Sequence, residues 1–187
     1  MVDETAVLAT NEDLERLRYP IGRFRPRSAL SGEQRQALIA DLTEFPADLR
    51  AAVSDLSAQQ LDTPYRPDGW TVRQLLHHIP DSHMNSYIRF KLAVTEPEPA
   101  IKTYDEAAWA DLADARTADI EMSLALLEAL HQRWTAFLQS LTDEQFGRAF
   151  RHPELGVTTL DATLQLYAWH GRHHLAQITG LRKRLRW

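Results

Sequence analysis

Apolar residues recur every three or four positions along four stretches of the chain, the spacing that gathers them on one face of an α-helix. The first stripe is Leu38, Leu42, Phe45, Leu49, Ala52, Val53 and Leu56. Ser31 with Gln34 three residues on forms a capping box that starts it. Pro46 lies inside the stripe, and its missing amide predicts a kink or break near residues 42–46. The second stripe is Val72, Leu76, Ile79, His83, Tyr87, Phe90 and Val94. Thr71 with Gln74 opens it, Pro80 interrupts it, and Pro97 and Pro99 close it. The third stripe runs through Ile120, Leu124, Leu127, His131, Trp134, Leu138 and Leu141, over roughly 119–140. The fourth, over roughly 159–184, contains Leu160, Leu164, Tyr167, Gly171, Leu175 and Ile178. Its basic end, Arg182, Lys183, Arg184 and Arg186, suits a helix C-terminus.

Four long amphipathic helices with almost no strand pattern predict an all-α four-helix bundle. Residues 1–18 read as a flexible N-terminal arm and 19–187 as a single bundle domain. The connection between the second and third long helices, out to about residue 118, is too long for a tight antiparallel turn. It is expected to cross the bundle or cover one end, with a short helix around Glu106–Leu112. Thr142 with Gln145 caps a short helical turn, and His152–Gly156 is a turn flanked by a little extended structure.

Composition narrows the chemistry. Lys and Arg number 21 against 26 Asp and Glu, a net charge of −5, so a basic grip on nucleic acid is not expected. No apolar run is long enough to span a membrane, and residues 1–18 have neither the basic start nor the apolar core of a signal peptide. A cytoplasmic protein is expected. Cysteine is absent, which excludes disulfides, thiolate metal sites and a cysteine nucleophile. Histidine is abundant: six of 8 fall in two groups, His77, His78, His83 and His170, His173, His174.

Helix bundles build metal sites from side chains on facing helices. His170 and His174 are four apart and so share a helix face, at the edge of the apolar stripe. His173 falls well away from that stripe. On the second helix, His77 lies opposite the apolar face and is expected at the surface. His83 lies at the centre of that face and His78 on its flank. Spacing alone leaves the choice between His78 and His83 open.

The stretch from Gly69-Trp70-Thr71-Val72-Arg73-Gln74-Leu75-Leu76-His77-His78-Ile79 through Asp81-Ser82-His83-Met84-Asn85-Ser86-Tyr87 resembles the DinB/YfiT-like superfamily, and its YfiT branch in particular. The likeness extends from Tyr19-Pro20-Ile21-Gly22 through Tyr104-Asp105-Glu106, Leu130-His131-Gln132-Arg133-Trp134-Thr135 and His152-Pro153 to His170 and His173-His174. It implies a four-helix bundle that holds one divalent ion with three histidines. One comes eight residues after the tryptophan that opens the second helix, which here is His78; the other two are His170 and His174. The branch is described in terms of metal-dependent hydrolases and linked to bacillithiol S-transferases, and the resemblance also implies a homodimer. Gln177 departs from the pattern, standing where another histidine is expected in near relatives.

Three neutral imidazoles would leave a divalent ion, zinc or nickel, its full charge and an open position. That position suits a thiol, giving transfer to an electrophile, or water, giving hydrolysis. The alternative without turnover is a non-catalytic metal-binding module of a stress response. With no cysteine in the chain, a thiol must arrive as a small-molecule cosubstrate of bacillithiol type. The remaining candidates are Asp81 as base or orienting group, and His131 as core histidine, hydrogen-bond donor or proton shuttle. Asn85 and Arg89 follow His78 at helical steps of about seven and eleven, on its side of the helix, and could bind substrate, Arg89 by gripping a carboxylate. Tyr104, with Trp109, could form a lid.

Overall fold

The computed structural model describes residues 10–27 and 30–187. In chain order the helices are α1 (Asn11–Arg18), α2 (Gly32–Val53), α3 (Ala58–Leu61), α4 (Val72–Thr95), α5 (Glu106–Ala110), α6 (Ala113–Thr117), α7 (Ile120–Gln139), α8 (Asp143–Phe146) and α9 (Leu160–Leu185). A hairpin of β1 (Ala149–His152) and β2 (Gly156–Thr159) precedes α9, with Ala149 opposite Thr159 and His152 opposite Gly156. The predicted caps Ser31, Thr71 and Thr142 all form boxes with Gln34, Gln74 and Gln145. Of the arm expected over residues 1–18, residues 1–9 lie outside the described residues, and Asn11–Arg18 form α1, which buries no side chain.

The four long helices form a bundle whose neighbours are not consecutive in sequence. α2 packs along α9 and α7, and α4 packs along α7 and α9. The successive pairs α2/α4 and α7/α9 therefore lie across the diagonals. The long connection over 96–119 joins two neighbours and lays α5 and α6 against α4. Of the two courses expected of it, crossing the bundle falls instead to the segments 54–71 and 140–159.

Two apolar clusters fill the bundle. One surrounds Phe90, Trp134, Leu138, Leu160 and Leu164; the other surrounds Leu49, Val72, Leu75, Ile79, Leu127 and Ile178. Full burial of each such side chain contributes about 1.5–3 kcal/mol. His83 and His131 sit at the junction. The His83 ring lies 5.7 Å from Phe45 of one cluster and 5.8 Å from Trp134 of the other.

Both internal prolines are accommodated, contrary to the expected break near residues 42–46 and the interruption at Pro80. α2 is helical through Pro46, and α4 is helical through Pro80. Pro46 has no amide to offer the Leu42 carbonyl, but that oxygen is 2.6 Å from His131 Nδ1 and so keeps a donor. Pro80 is buried within α4, which continues as a helix on both sides of it.

Gly171 sets the approach of α9 to α2. A Cβ there would lie 3.1 Å from the Phe45 ring, too close without a shift of that ring. Farther along, Arg35 grips Asp161 with two hydrogen bonds of 2.7 and 2.9 Å, joining the start of α2 to the start of α9.

Candidate metal centre

His78 projects from α4 towards α9, where His170 and His174 stand one turn apart. His170 Nε2 is 3.3 Å from His78 Nε2 and 3.2 Å from His174 Nε2. One nitrogen from each of the three rings lies within 4.8 Å of the others. Nitrogens bound tetrahedrally to an ion at about 2.05 Å are about 3.3 Å apart, so these separations fit a shared cation. Burial pushes His78 down to about 4 and holds His170 and His174 well below the ordinary imidazole range. The rings are therefore neutral at pH 7, the state in which imidazole ligates.

The surroundings fix the rings. Trp70, just ahead of the α4 cap, packs its ring 4.7 Å from that of His78. Gln177 accepts a hydrogen bond from His174 Nδ1 at 2.8 Å, which puts the proton on Nδ1 and leaves Nε2 bare. The Gln177 amide cannot be reversed, because its Nε2 donates to the Arg18 carbonyl at 2.9 Å. The same Nε2 lies 3.0 Å from His173 Nε2. Gln177 thus orients a cluster histidine and fastens the end of α1 beside it.

The other histidines separate sharply. His83 is fully buried, with Nε2 3.1 Å from His170 Nδ1 and Nδ1 2.8 Å from His131 Nε2. His77, expected at the surface, is instead 7% exposed. The segment leading into α7 covers it, and its ring nitrogens meet Ser123 Oγ at 2.7 Å and the Ala118 carbonyl at 3.3 Å. His173 is also buried rather than remote, stacked on Trp169 at 4.4 Å and covered by Tyr19 at 5.7 Å. Helix periodicity missed both because short segments outside the four stripes extend the interior over them.

A cleft of about 570 Å³ opens from the three histidines, bounded by Tyr167, Trp169, Arg89, His152, Glu106 and Glu154. Arg89 reaches it as the spacing suggested. Asn85 does not, because its amide donates to the Asp81 carbonyl of its own helix at 2.8 Å. The Asp81 side chain is also outside the lining; burial and the nearby Asp114 push it up to about 6. Tyr104 stacks on Trp109 at 4.3 Å, and its hydroxyl is buried with no partner among the described residues. Trp169 Nε1 and His173 Nδ1, both on cleft-lining residues, are likewise buried and unpaired among the described residues. Sequence reasoning did not single out Tyr167, Glu106 or Glu154, which reach the cleft from three separate elements. Only tertiary packing brings them together.

Residues 41–178 match the model of the DinB superfamily. The chain is 56% identical over 172 residues to a protein named "Putative metal-dependent hydrolase YfiT" from Bacillus subtilis (strain 168), covering 91% of this chain and 97% of the relative. It is 53% identical over 171 residues to a "Putative metal-dependent hydrolase" of Bacillus cereus (strain 03BB102), covering 91% and 98%. The solved structure of YfiT from Bacillus subtilis superposes with a TM-score of 0.90 at 55% identity, covering 92% of this chain and 99% of that one; it is described as having "an unusual four-helix bundle topology". The diagonal connectivity found here accords with that description. By sequence and by fold, the chain belongs to the DinB/YfiT-like superfamily.

Proposed function

We propose that this protein is a metal-dependent enzyme in which His78, His170 and His174 hold one divalent ion, zinc or nickel, that activates a nucleophile for attack on a small-molecule substrate. The convergence of three neutral imidazole nitrogens at a cleft carries this reading. The names of the relatives, which describe metal-dependent hydrolases, support it. Such an ion supplies Lewis-acid activation of a thiol or of water.

The chain's own residues provide binding and orientation. Neutral ligands leave the cationic charge undiminished, and Gln177 holds His174 in its ligating form. Arg89 at the cleft wall offers a planar fork for a substrate carboxylate.

Transfer of a bacillithiol-type thiol is the first reading. The three histidines bring no carboxylate into the cluster, and Asp81 lies outside the cleft lining. A coordinated thiol ionises without a protein base, whereas hydrolysis gains from one. The sulfur would bond to an electrophilic carbon, the leaving group would depart with its electron pair, and the thiol proton would pass to solvent. With no cysteine, the protein contributes no competing thiol. Hydrolysis is the second reading, favoured by the relatives' names and by Glu106 and Glu154 at the cleft.

Two assays on metal-loaded protein separate them: a small thiol with a reactive haloarene, and a panel of esters and amides. Thiol consumption matched by release of the halide supports transfer. Turnover confined to the esters or amides supports hydrolysis and overturns the first reading.

A further inference from the structure

The hydrogen-bonded line behind His170 has a definite direction. It begins at the Leu42 carbonyl, which can only accept. His131 Nδ1 is 2.6 Å from that oxygen, so Nδ1 carries the proton; a bare nitrogen there would face the oxygen with two lone pairs in repulsion. Among the described residues no carboxylate bonds to these rings, and an imidazolium buried here would be an unpaired charge. A neutral His131 then has a bare Nε2, and His83 Nδ1 must donate to it at 2.8 Å. His83 Nε2 is bare in turn, so His170 Nδ1 donates to it at 3.1 Å. The last nitrogen, His170 Nε2, has no proton and faces His78 and His174. Rotating any of the three rings would set a carbon against a hydrogen-bonding atom, so the contacts fix ring orientation as well as tautomer.

The first link depends on Pro46. In an unbroken α-helix the amide of residue 46 would bond the Leu42 oxygen. Proline has no such proton, and the oxygen is left for His131.

We propose that the Leu42 carbonyl, freed by Pro46, sets the direction of a hydrogen-bond chain through His131 and His83 that holds His170 as its Nδ1–H tautomer, with Nε2 presented to the ion. The inference rests on the metal site proposed above. It makes His131 and His83 positioning residues. A proton shuttle is a different role, since the chain ends on a carbonyl that exchanges no proton. Neutral histidine in water favours the opposite tautomer, with the proton on Nε2, so without this chain His170 would have to surrender that proton before ligating.

Nitrogen-15 NMR of metal-free protein, correlating ring nitrogens with ring carbon-bound protons, reads the tautomers directly. The expected result is Nδ1–H at His131, His83 and His170. His83→Leu should move His170 towards Nε2–H and weaken nickel or zinc binding about 10- to 100-fold. Pro46→Ala keeps every histidine and adds a competing amide; it should weaken binding by less than about 10-fold and shift the His131 Nδ1 proton resonance. The wild-type tautomers decide the matter even if a variant folds poorly. Metal uptake with His170 as Nε2–H overturns the chain and spares the site. Nδ1–H at all three rings with no uptake of nickel or zinc overturns the site, and with it the chain's stated role.

Discussion

α4 carries two adjacent histidines that face different neighbours, and they make an instructive pair. His77 points to the α7 side, where the Ser123 hydroxyl and the Ala118 carbonyl meet its two nitrogens. His78 points to the α9 side, where its Nε2 faces another imidazole nitrogen. Both are buried to a similar degree, at 7% and 5% exposure. Burial therefore does not distinguish a structural histidine from a ligand candidate. The difference is in what each nitrogen meets: a hydroxyl and a carbonyl at one seam, two further imidazole nitrogens at the other. Three such nitrogens can be joined by one cation; the first pair of partners leaves His77 no room for one.

The strongest test of this contrast is metal content. His78→Ala or His174→Ala should take the protein from about one ion per chain to nearly none, weakening affinity by more than about 100-fold. His77→Ala should leave metal content unchanged while lowering stability by about 1–3 kcal/mol in denaturant titration, because Ser123 loses its buried partner. Metal loss in the His77 variant equal to that in the others would erase the distinction. Gly171→Ala probes the α2–α9 contact behind the cluster. Its Cβ should displace Phe45 and cost about 1–3 kcal/mol, read from the same titration. Gln177→Leu should weaken metal binding by about 10-fold through loss of the His174 tautomer, and should increase protease cleavage near Arg18.

The same burial gives the metal-free protein a pH dependence. Burial pushes His131 down to about 4 and also lowers His77. Both take protons in the unfolded chain below about pH 6.5 but resist them in the fold. The unfolded state binds more protons in that window, so the Tm should fall as pH drops from about 6.5 towards 4. Asp81, raised to about 6, holds its proton in the fold between about pH 3.8 and 6 and trims the loss. Asp81→Asn should make the acid-side fall in Tm steeper relative to pH 7.

Much of this was legible in the sequence because it is local. The Ser31, Thr71 and Thr142 caps depend on residues three apart, and the four stripes depend on a period of 3.6. The neighbouring positions of His170 and His174 follow from the same period. What the sequence hid depends on partners far along the chain. Pro46 predicted a break because its compensating donor, His131, is 89 residues from Leu42. Asn85 had the right spacing to reach the cleft, but a carbonyl one turn back captures its amide. His77 and His173 looked peripheral because no helix wheel registers the segments that cover them. The selection of His78 over His83 came from family resemblance. The structure gives both a place: His78 in the cluster, and His83 one hydrogen bond behind it.

The diagonal connectivity also imposes an order in time. His78 and His170 are separated by 92 residues, and α9 is synthesised after α2, α4 and α7. At about 5–20 residues per second, a growing chain displays its first cluster histidine on the order of 5–20 s before the other two exist. A nascent chain thus has no converged set of nitrogens with which to capture a stray ion. The cluster assembles only when α9 docks between α2 and α4, so metal selection falls to the finished fold.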